Sequence, residues 1–168
     1  MSNVADNERP EATDGVQITL TPPIGTAVRP LDPGLDAIAA EILAPATDVG
    51  TIEAAASLIA TSRSDENAAI YGMTADDRVI AVYLTRRIPL SVEVTAIAVA
   101  PDSRGKGHGR ACLQDALRRA GKLPLVVETP ENSVGFFKRC GFKIVSRRLP
   151  PDDQPRFKLG WHAPRPPT

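Results

Sequence analysis

The segment VEVTAIAVAPDSRGKGHGR, residues 92–110, decides the fold of this chain. Its first part is a largely apolar run that predicts a strand ending before Pro101. A loop with three glycines follows, and then a helical pattern with one apolar face begins near Arg110 and stops at Gly121. The segment therefore predicts a strand, a glycine loop and a helix in immediate succession.

Strand, glycine loop and helix in this order are typical of a backbone site for a phosphate group. The first N–H groups of a helix lack partners within the helix, and the helix dipole favours an anion there. Glycines let the backbone approach closely because they have no Cβ. Two common phosphate loops are excluded, since Lys106 is followed by glycine instead of the Ser or Thr of a Walker loop, and a dinucleotide fingerprint needs glycine where Arg110 or Cys112 stands. A glycine-rich helix entry that holds no ligand remains the alternative.

The remaining pattern, Arg104-x-x-Gly107-x-Gly109, resembles the acyl-CoA signature Arg/Gln-x-x-Gly-x-Gly/Ala of the GNAT superfamily of N-acyltransferases. The segment ENSVGFFKRCGF at 131–142 is similar to a second hallmark of this family, in which an Asn opens a short helix that ends with an aromatic residue, a few further residues and Gly-Phe. Both motifs stand in the family's order and spacing. The resemblance covers roughly residues 69–162.

The resemblance implies the GNAT fold, an α/β (α+β) fold with a central mixed, mostly antiparallel sheet of six to seven strands. The sheet splays between its fourth and fifth strands and is flanked by about four helices. The apolar patterns predict strands at 16–20, 69–73, 79–85, 92–99, 123–129, 143–148 and 156–161, a hairpin turn at 75–78, and helices at 35–43, 52–60, 110–120 and 132–140. We expect a single domain over 16–162, a disordered tail over 1–15 and a loose tail over 163–168.

Length and composition argue against several classes of protein. The 168 residues include 20 basic and 20 acidic side chains, and this formal charge of zero argues against nucleic acid or a membrane surface as partner. The sequence has no apolar stretch of membrane-spanning length and no signal-peptide pattern, so we expect a cytoplasmic location. We expect the protein to be a monomer or a homodimer. Cys112 and Cys140 lack metal-ligand spacing and are expected to be buried reduced thiols, a disulfide or a catalytic Cys being the alternative. The two histidines, His108 and His162, are far apart, so no metal site is predicted.

The resemblance also implies acetyl-CoA as co-substrate and suggests its contacts. In the family the pantetheine arm lies in the gap between the fourth and fifth strands and bonds to the edge of the fourth. The N–H groups of 105–110 would hold the pyrophosphate, and Asn132 would bond the pantetheine from the other side. The implied cofactor-binding residues are Ile97, Ala98, Val99, Arg104, Gly105, Lys106, Gly107, His108, Gly109, Arg110, Asn132, Phe136 and Phe137.

Several of these residues keep a plainer alternative. Arg104 and Lys106 bring positive charge to the loop, but one of them is expected to be a solvated surface charge. His108 stands at a variable position of the loop and is expected to face solvent. Asn132 can equally serve only as the N-cap of its helix, which Gly141 would end.

Acetyl transfer to an amine requires a neutral amine, a hydrogen-bond donor to the thioester carbonyl and a proton for the departing thiolate. By resemblance, the donor is the N–H of Val99 or a neighbour. Glu93 on the fourth strand and Glu128 near the end of the fifth are the candidate catalytic bases. Because side chains alternate along a strand, Glu93 is expected to share a face with Thr95, which occupies the commonest glutamate position of the family. For either glutamate the alternative is an exposed or cross-strand paired carboxylate.

The position of the catalytic acid departs from the family pattern. Many relatives carry a Tyr four residues before the Gly of Gly-Phe, and its hydroxyl is thought to protonate the leaving thiolate. Here that residue is Phe137. The role is therefore empty, taken by water or filled from elsewhere, and the two tyrosines, Tyr71 and Tyr83, both lie on the earlier hairpin.

Three functions stay open. The first is acetyl transfer from acetyl-CoA to a primary amine of a small molecule or a protein, by direct attack in a ternary complex. The second is a catalytically weak acyl-CoA-binding module or regulator, which Phe137 and the uncertain base would explain. The third is a structural role of the fold alone, which the intact loop glycines disfavour. The sequence does not specify the acceptor, because its pocket would be built by 35–62 and the last hairpin, where no motif occurs.

Overall fold

The computed structural model describes residues 25–151 and 154–162 of the chain. The strands in these ranges are β1 (Thr26–Pro30), β2 (Ala68–Ala75), β3 (Arg78–Ile88), β4 (Ser91–Val99), β5 (Leu125–Pro130), β6 (Lys143–Arg148) and β7 (Arg156–Trp161). The helices are α1 (Asp36–Leu43), α2 (Ile52–Arg63), α3 (His108–Ala120) and α4 (Glu131–Arg139). The strands form a single sheet in the order β1-β2-β3-β4-β5-β7-β6.

The sheet is mixed and mostly antiparallel, as predicted. Among the described strands, β4 and β5 run parallel and the other neighbouring pairs run antiparallel. The parallel pairing is short and extends from Val92 opposite Leu125 to Val94 opposite Val127, although both strands continue further. The two strands therefore separate beyond Val94, which is the splay that the family resemblance implies.

Helices cover both faces of the sheet and enclose a hydrophobic core on each side. α3 and α4 pack on one face, called here the α3 face, and α1 and α2 pack on the other, called the α1 face. Positions that repeat every three or four residues form one apolar stripe on a helix, and this stripe turns toward the sheet. In α3 the buried stripe consists of Cys112, Leu113, Ala116 and Ala120.

The predicted hairpin joins β2 to β3 through Asp76 and Asp77. Both residues have positive φ, 51° and 62°. Positive φ at both central residues suits the two-residue turns whose twist matches that of the flanking strands. Asp reaches this region more readily than most residues other than glycine, which explains how the turn forms without one.

Several element boundaries differ from the sequence prediction. The predicted strand at 16–20 and the predicted tails at 1–15 and 163–168 lie outside the described residues. β1, at the edge of the sheet, was not predicted, because its five residues combine little apolar character with a terminal proline. β5 begins two residues later than expected, because Pro124 directly precedes it and takes part only through its carbonyl oxygen, which accepts from the N–H of Val92 at 2.9 Å.

The start of α4 corrects the role expected for Asn132. The N-cap residue of α4 is Pro130, and Asn132 is the second residue inside the helix, so the prediction that Asn132 caps the helix was wrong. Proline fits this boundary because its fixed φ suits an extended residue and it has no N–H to leave unpaired. Glu131 places a negative charge in the first turn, which the helix dipole favours. Gly141, with φ of 104°, ends the helix as predicted.

Candidate active site

The gap between β4 and β5 exposes one edge of β4. The N–H of Ala100 donates to the carbonyl oxygen of Ile80 at 2.8 Å, so the backbone of Ala100 points toward β3. Because backbone direction alternates along an antiparallel ladder, Ala98 also points toward β3, and Ile97 and Val99 point toward the gap. The predicted backbone contacts from Ile97 and Val99 are therefore sterically available. The contact predicted from the backbone of Ala98 is not, because that backbone faces β3.

A β-bulge at Thr95 marks the point where the strands separate. Leu84 of β3 lies opposite Ala96 and Thr85 lies opposite Val94, so Thr95 is an extra residue on β4. Before the bulge Val94 belongs to the core of the α3 face, whereas after it Ala96 belongs to the core of the α1 face. An inserted residue shifts the alternation of side chains by one. The prediction that Glu93 and Thr95 share a face assumed regular alternation of side chains. The bulge interrupts this alternation at Thr95, so the argument does not hold.

Two of the loop glycines adopt a conformation that other residues rarely reach. Gly105 and Gly107 have φ of 77° and 84°. A Cβ at either position would meet no atom within 4 Å, so the backbone faces open space on that side. Gly107 is also the N-cap of α3 and provides no side chain to satisfy the first N–H groups of the helix. The loop therefore presents an open row of backbone donors at a helix N-terminus, which fits a pyrophosphate group.

Gly109 is required for a different reason. A Cβ at this position would lie 3.1 Å from Cζ of Phe136 and 3.7 Å from Cγ2 of Val99. The absence of a side chain therefore lets α3 approach α4 and the end of β4 closely. Phe136 is half-buried and packs against the core of the α3 face.

The charged residues of the loop differ in their surroundings. Arg104 donates from Nε to the carbonyl oxygen of Val99 at 2.9 Å, which places its guanidinium at the open edge of β4. Lys106 and Arg110 are exposed. His108 is only 7% exposed, and its Nδ1 is buried without a hydrogen-bond partner among the described residues. The expectation that His108 faces solvent was wrong, because α3 begins earlier than predicted and places His108 one turn before the buried Cys112.

The aromatic residues of α4 belong to the core of the α3 face. Phe137 is 4% exposed, and its ring centroid lies 5.1 Å from that of Phe136 and 5.4 Å from that of Phe142. Asn132 is exposed, and its Oδ1 lies 3.4 Å from the Oγ of Ser133. The structure therefore supports a packing role for Phe137, whereas the cofactor contacts predicted for Phe136, Phe137 and Asn132 stay predictions.

The hydroxyl of Tyr83 is not available as the missing acid. The hydroxyl of Tyr83 donates to Oδ2 of the buried Asp115 at 2.5 Å, and burial raises the pKa of Tyr83 far above its usual range. Tyr71 stacks on Tyr83, with ring centroids 5.0 Å apart, and Arg119 lies over its other side. Tyr83 is therefore a structural donor whose proton is held in the core.

The two cysteines are buried and free, as expected. Burial raises the pKa of Cys112 to about 12 and also raises the pKa of Cys140. A thiol that stays protonated is a poor nucleophile. Neither cysteine is therefore placed to act as a catalytic nucleophile.

Glu93 lies where β4 still pairs with β5, just before the strands separate. It is half-buried and stands opposite Arg86 of β3 and Val126 of β5. Arg86 is hydrogen-bonded to Asp65 at 2.7 Å, and this bond, with a smaller contribution from the charge of Glu93, raises the pKa of Arg86. Glu93 therefore sits at the base of the gap with its cross-strand arginine engaged elsewhere.

Glu128 lies one residue beyond the last pairing of β5 with β4, at the opening of the gap, where β5 still pairs with β7. Its strand neighbour Val127 faces the core of the α3 face, so Glu128 faces the α1 side. The carboxylate is ion-paired with Arg148 and lies 3.7 Å from Nε of Arg156. Arg156 also contacts Asp48, at 3.1 Å. These two arginines were missed from the sequence, because only the pairing of β5, β6 and β7 brings them to Glu128.

Comparison with known proteins agrees with this geometry. Residues 66–144 match the model of the acetyltransferase (GNAT) domain. The peptidyl-lysine N-acetyltransferase YjaB of Escherichia coli (strain K12) is 43% identical over 53 residues, which are 31% of this chain and 36% of that protein. The chain thus matches well under two thirds of the length of this curated relative.

Solved structures share the fold at low identity. The ribosomal-protein-S18-alanine N-acetyltransferase from Escherichia coli is 17% identical with a TM-score of 0.68, over 82% of this chain and 93% of that one. A GNAT family acetyltransferase from Elizabethkingia anophelis with acetyl-CoA bound is 18% identical with a TM-score of 0.64, over 84% of this chain and 100% of that one. These similarities show that the chain has the GNAT fold.

The described part of the chain lacks two further features. No helix in the ranges 25–151 and 154–162 is long and apolar enough to cross a membrane. The same part of the chain has no group of three or more His, Cys, Asp or Glu side chains that could hold a metal ion.

Proposed function

We propose that the chain, whose residues 66–144 match the GNAT acetyltransferase domain, is an N-acetyltransferase that moves an acetyl group from acetyl-CoA to a primary amine by direct attack in a ternary complex. The observation that carries the proposal is the open edge of β4 next to a glycine loop at a helix N-terminus. A peptidyl-lysine acetyltransferase among the relatives supports a primary amine as acceptor. Acetyl-CoA would supply the acetyl group already activated as a thioester.

The chain's own residues would hold this co-substrate with backbone groups. The outward N–H and C=O groups of Ile97 suit an amide of a pantetheine arm, because the edge of a strand pairs with any extended chain of amides. Val99 keeps its outward N–H for the acyl end, since its C=O already accepts from Arg104. The N–H groups of 105–110 suit the pyrophosphate. Arg104 adds a fixed positive charge between the two, since its guanidinium is held at the end of β4.

For the transfer itself, the N–H of Val99 is the proposed donor to the thioester carbonyl, and Glu93 is the proposed base. An amine with a pKa of about 10.4 is mostly protonated at neutral pH and must lose a proton before attack. Glu93 lies at the base of the gap and shows no ion pair within 4 Å among the described residues, whereas Glu128 is ion-paired with two arginines. With Phe137 at the usual acid position, water is the proposed proton source for the thiolate.

The second candidate is a catalytically weak acyl-CoA-binding protein. The buried ring of Phe137 favours it, because this residue has no proton to give. Incubation with acetyl-CoA and a panel of primary amines, with free thiol measured, separates the two candidates. Amine-dependent thiol release supports the transferase. Binding of acetyl-CoA without release of free thiol in the presence of any amine would leave only the acyl-CoA-binding protein.

The setting of the reaction is also a proposal. We expect it to take place in the cytoplasm, where two buried free thiols stay reduced. A single domain over 16–162, and a monomer or homodimer without nucleic acid or membrane partners, stay predictions. Sedimentation of the full chain at several concentrations would measure the assembly.

A further inference from the structure

A cavity of about 190 Å³ lies on the α3 face, at the end of the sheet remote from the glycine loop. Its walls come from the last turns of α3, the loop before β2, and the neighbouring parts of β2, β3 and β4. Because α3 has 13 residues and rises about 1.5 Å per residue, its two ends are roughly 18 Å apart. The cavity is therefore separate from the proposed co-substrate site, which uses the opposite end of the same helix.

The floor of the cavity is apolar and built from small side chains. These come from both layers of the fold and are Ala69 of β2, Val92 of β4, and Ala116 and Ala120 of α3. Small side chains on both sides leave space between the helix and the sheet that larger side chains would fill. The floor therefore suits a short aliphatic group.

One buried polar side chain opens into this floor. Thr85 of β3 is 8% exposed, and it faces the α3 side because its cross-strand neighbour Val94 belongs to the core of the α3 face. Within the described ranges its hydroxyl forms no hydrogen bond, yet the oxygen is not sealed off, so it borders the cavity. A hydroxyl can donate as well as accept, so this one is free to bond a ligand.

The charged side chains at the rim differ in whether they are already engaged. Nε of Arg119 donates to Oδ2 of Asp115 at 2.7 Å, and the guanidinium lies 4.3 Å from the ring centroid of Tyr71, so Arg119 is a fixed wall. The side chain of Arg87 is exposed and has no hydrogen bond or ion pair with another described residue. Glu66 adds one negative charge to the rim. The rim therefore offers one unengaged guanidinium and disfavours a ligand with two negative charges.

We propose that this cavity binds a small aliphatic monocarboxylate, at a site independent of the proposed acetyl transfer. Thr85 and Arg87 are two residues apart on β3, so their side chains lie on one face and a single carboxylate can reach both. The hydroxyl and the guanidinium each donate to a carboxylate oxygen. The aliphatic chain of the ligand lies between Ala69 and α3. Glu66 excludes a dicarboxylate by repelling its second charge.

The test is calorimetric titration of the full chain with butyrate and with butyramide, which has the same shape and no charge. We expect the parent to bind butyrate at least ~10-fold more tightly, because only butyrate forms a charge-assisted bond with the guanidinium. Arg87→Gln should reduce this preference to less than about threefold. Thr85→Val keeps the shape of the side chain and should weaken butyrate binding by ~3–10-fold. Succinate should bind the parent more weakly than butyrate does, because Glu66 repels its second carboxylate.

Two further variants keep the test decisive. Lys122→Gln is the matched control for Arg87→Gln, because it removes an exposed positive charge just after α3 from a residue that does not line the cavity. Its butyrate affinity should stay within about twofold of the parent's. Ala69→Leu fills the cavity without removing a polar group, and it replaces Thr85→Val if circular dichroism shows that variant to be unfolded. It should weaken butyrate binding at least ~10-fold, because the added side chain occupies the space of the ligand.

The outcomes separate this inference from the proposed function. The proposal is overturned by no detectable binding at millimolar butyrate, by equal affinity for butyrate and butyramide, or by an Arg87→Gln variant that keeps the parental preference. Competition between butyrate and acetyl-CoA also overturns it, because butyrate would then lie in the gap between β4 and β5. An affinity for butyrate that acetyl-CoA leaves unchanged supports the separate site. The transferase proposal is tested independently, by amine-dependent release of thiol.

Discussion

Gly107 meets two structural requirements at once, and a single substitution would not show which of them matters for ligand binding. Its φ of 84° disfavours any side chain, and its N-cap position places that side chain at the positive end of α3. A substitution that weakens ligand binding can act through strain or through charge. Two variants of nearly equal size, one with a neutral side chain and one with a negatively charged side chain, distinguish these causes.

Gly107→Asn and Gly107→Asp form this matched pair. Asn and Asp are nearly isosteric and both tolerate positive φ better than other side chains, so their strain is similar. We expect Gly107→Asp to bind acetyl-CoA at least ~10-fold more weakly than Gly107→Asn, because its carboxylate repels the pyrophosphate at the helix N-terminus. Calorimetry measures both affinities. Equal affinities for the two variants would place the pyrophosphate elsewhere.

Phe137→Tyr tests the empty acid position. The ring of Phe137 is packed between Phe136 and Phe142, so an added hydroxyl must find a partner or remain unsatisfied. We expect a loss of stability of ~1–3 kcal/mol, measured as a lower thermal midpoint, and no gain in turnover. Phe136→Tyr, at the half-buried neighbour, is the control and should be tolerated better. Unchanged stability together with faster turnover would show that the ring edge faces the thiolate.

Glu93→Gln tests the proposed base. The amide keeps the shape of the side chain but cannot accept a proton, and loss of a general base typically lowers the rate by ~10²–10⁴-fold. We expect kcat to fall in that range, with KM little changed and the rise of kcat/KM with pH flattened on the acid side. Glu128→Gln should mainly raise KM, because that carboxylate faces the acceptor side. A Glu93→Gln enzyme with near-parental kcat from pH 6 to 9 would eliminate Glu93.

The elements were predictable where a local pattern specifies them. The alternation and branching of β4, the glycine stop of α4 and the last strand at 156–161 all follow from short-range rules, and the structure confirms them. The bulge at Thr95 was not predictable, because a bulge depends on the partner strand and not on its own residue. For the same reason, regular alternation along β4 could not show whether Glu93 and Thr95 share a face.

Helix α3 also depends on a partner that its own pattern does not reveal. Asp115 reads as an exposed residue of an amphipathic helix, but it is 3% exposed and accepts bonds from Tyr83, Arg118 and Arg119. The buried carboxylate is acceptable because three donors satisfy it. This arrangement fixes the register of α3 against β3 and thereby the position of the glycine loop at its N-terminus.

Tyr83→Phe measures that connection. The variant removes one donor from a buried carboxylate, and hydrogen bonds to charged groups contribute ~1.5–3 kcal/mol. We expect a stability loss of this size in denaturant unfolding with an unchanged slope. Tyr71→Phe keeps the stacked ring and should change stability by less than about 0.5 kcal/mol, because the hydroxyl of Tyr71 lies in no described bond to Asp115. If Tyr83→Phe lowered stability no more than Tyr71→Phe does, the bond from Tyr83 to Asp115 would contribute little to holding α3.

The ion pairs at the opening of the gap form only at the scale of the whole fold. Arg156 and Asp48 are 108 positions apart in sequence, and they meet because the loop after α1 lies beside β4 while β7 lies beyond β5. No motif spans such a separation. The proposed co-substrate site, by contrast, occupies one continuous segment from β4 to α3, so the sequence could indicate it. A fold that keeps one site local and assembles other contacts from distant segments can vary the latter without disturbing the former.

The shift of the thermal midpoint with acetyl-CoA tests whether the folded protein binds this co-substrate. A ligand that binds only the folded state stabilises it by RT ln(1 + [L]/Kd), which is ~2.7 kcal/mol at one hundred times Kd. For a domain of this size, 1 kcal/mol shifts the thermal midpoint by ~2–8 °C, so saturating acetyl-CoA should raise it by several degrees. Gly107→Asp should lose most of this shift, whereas Arg156→Gln should keep it, because Arg156 contacts Asp48 and Glu128 and lies outside the glycine loop. An unchanged midpoint for the parent at millimolar acetyl-CoA would leave the fold with a structural role alone. A shift that survives in Gly107→Asp would instead show that the co-substrate is held by groups other than the N–H donors at the start of α3.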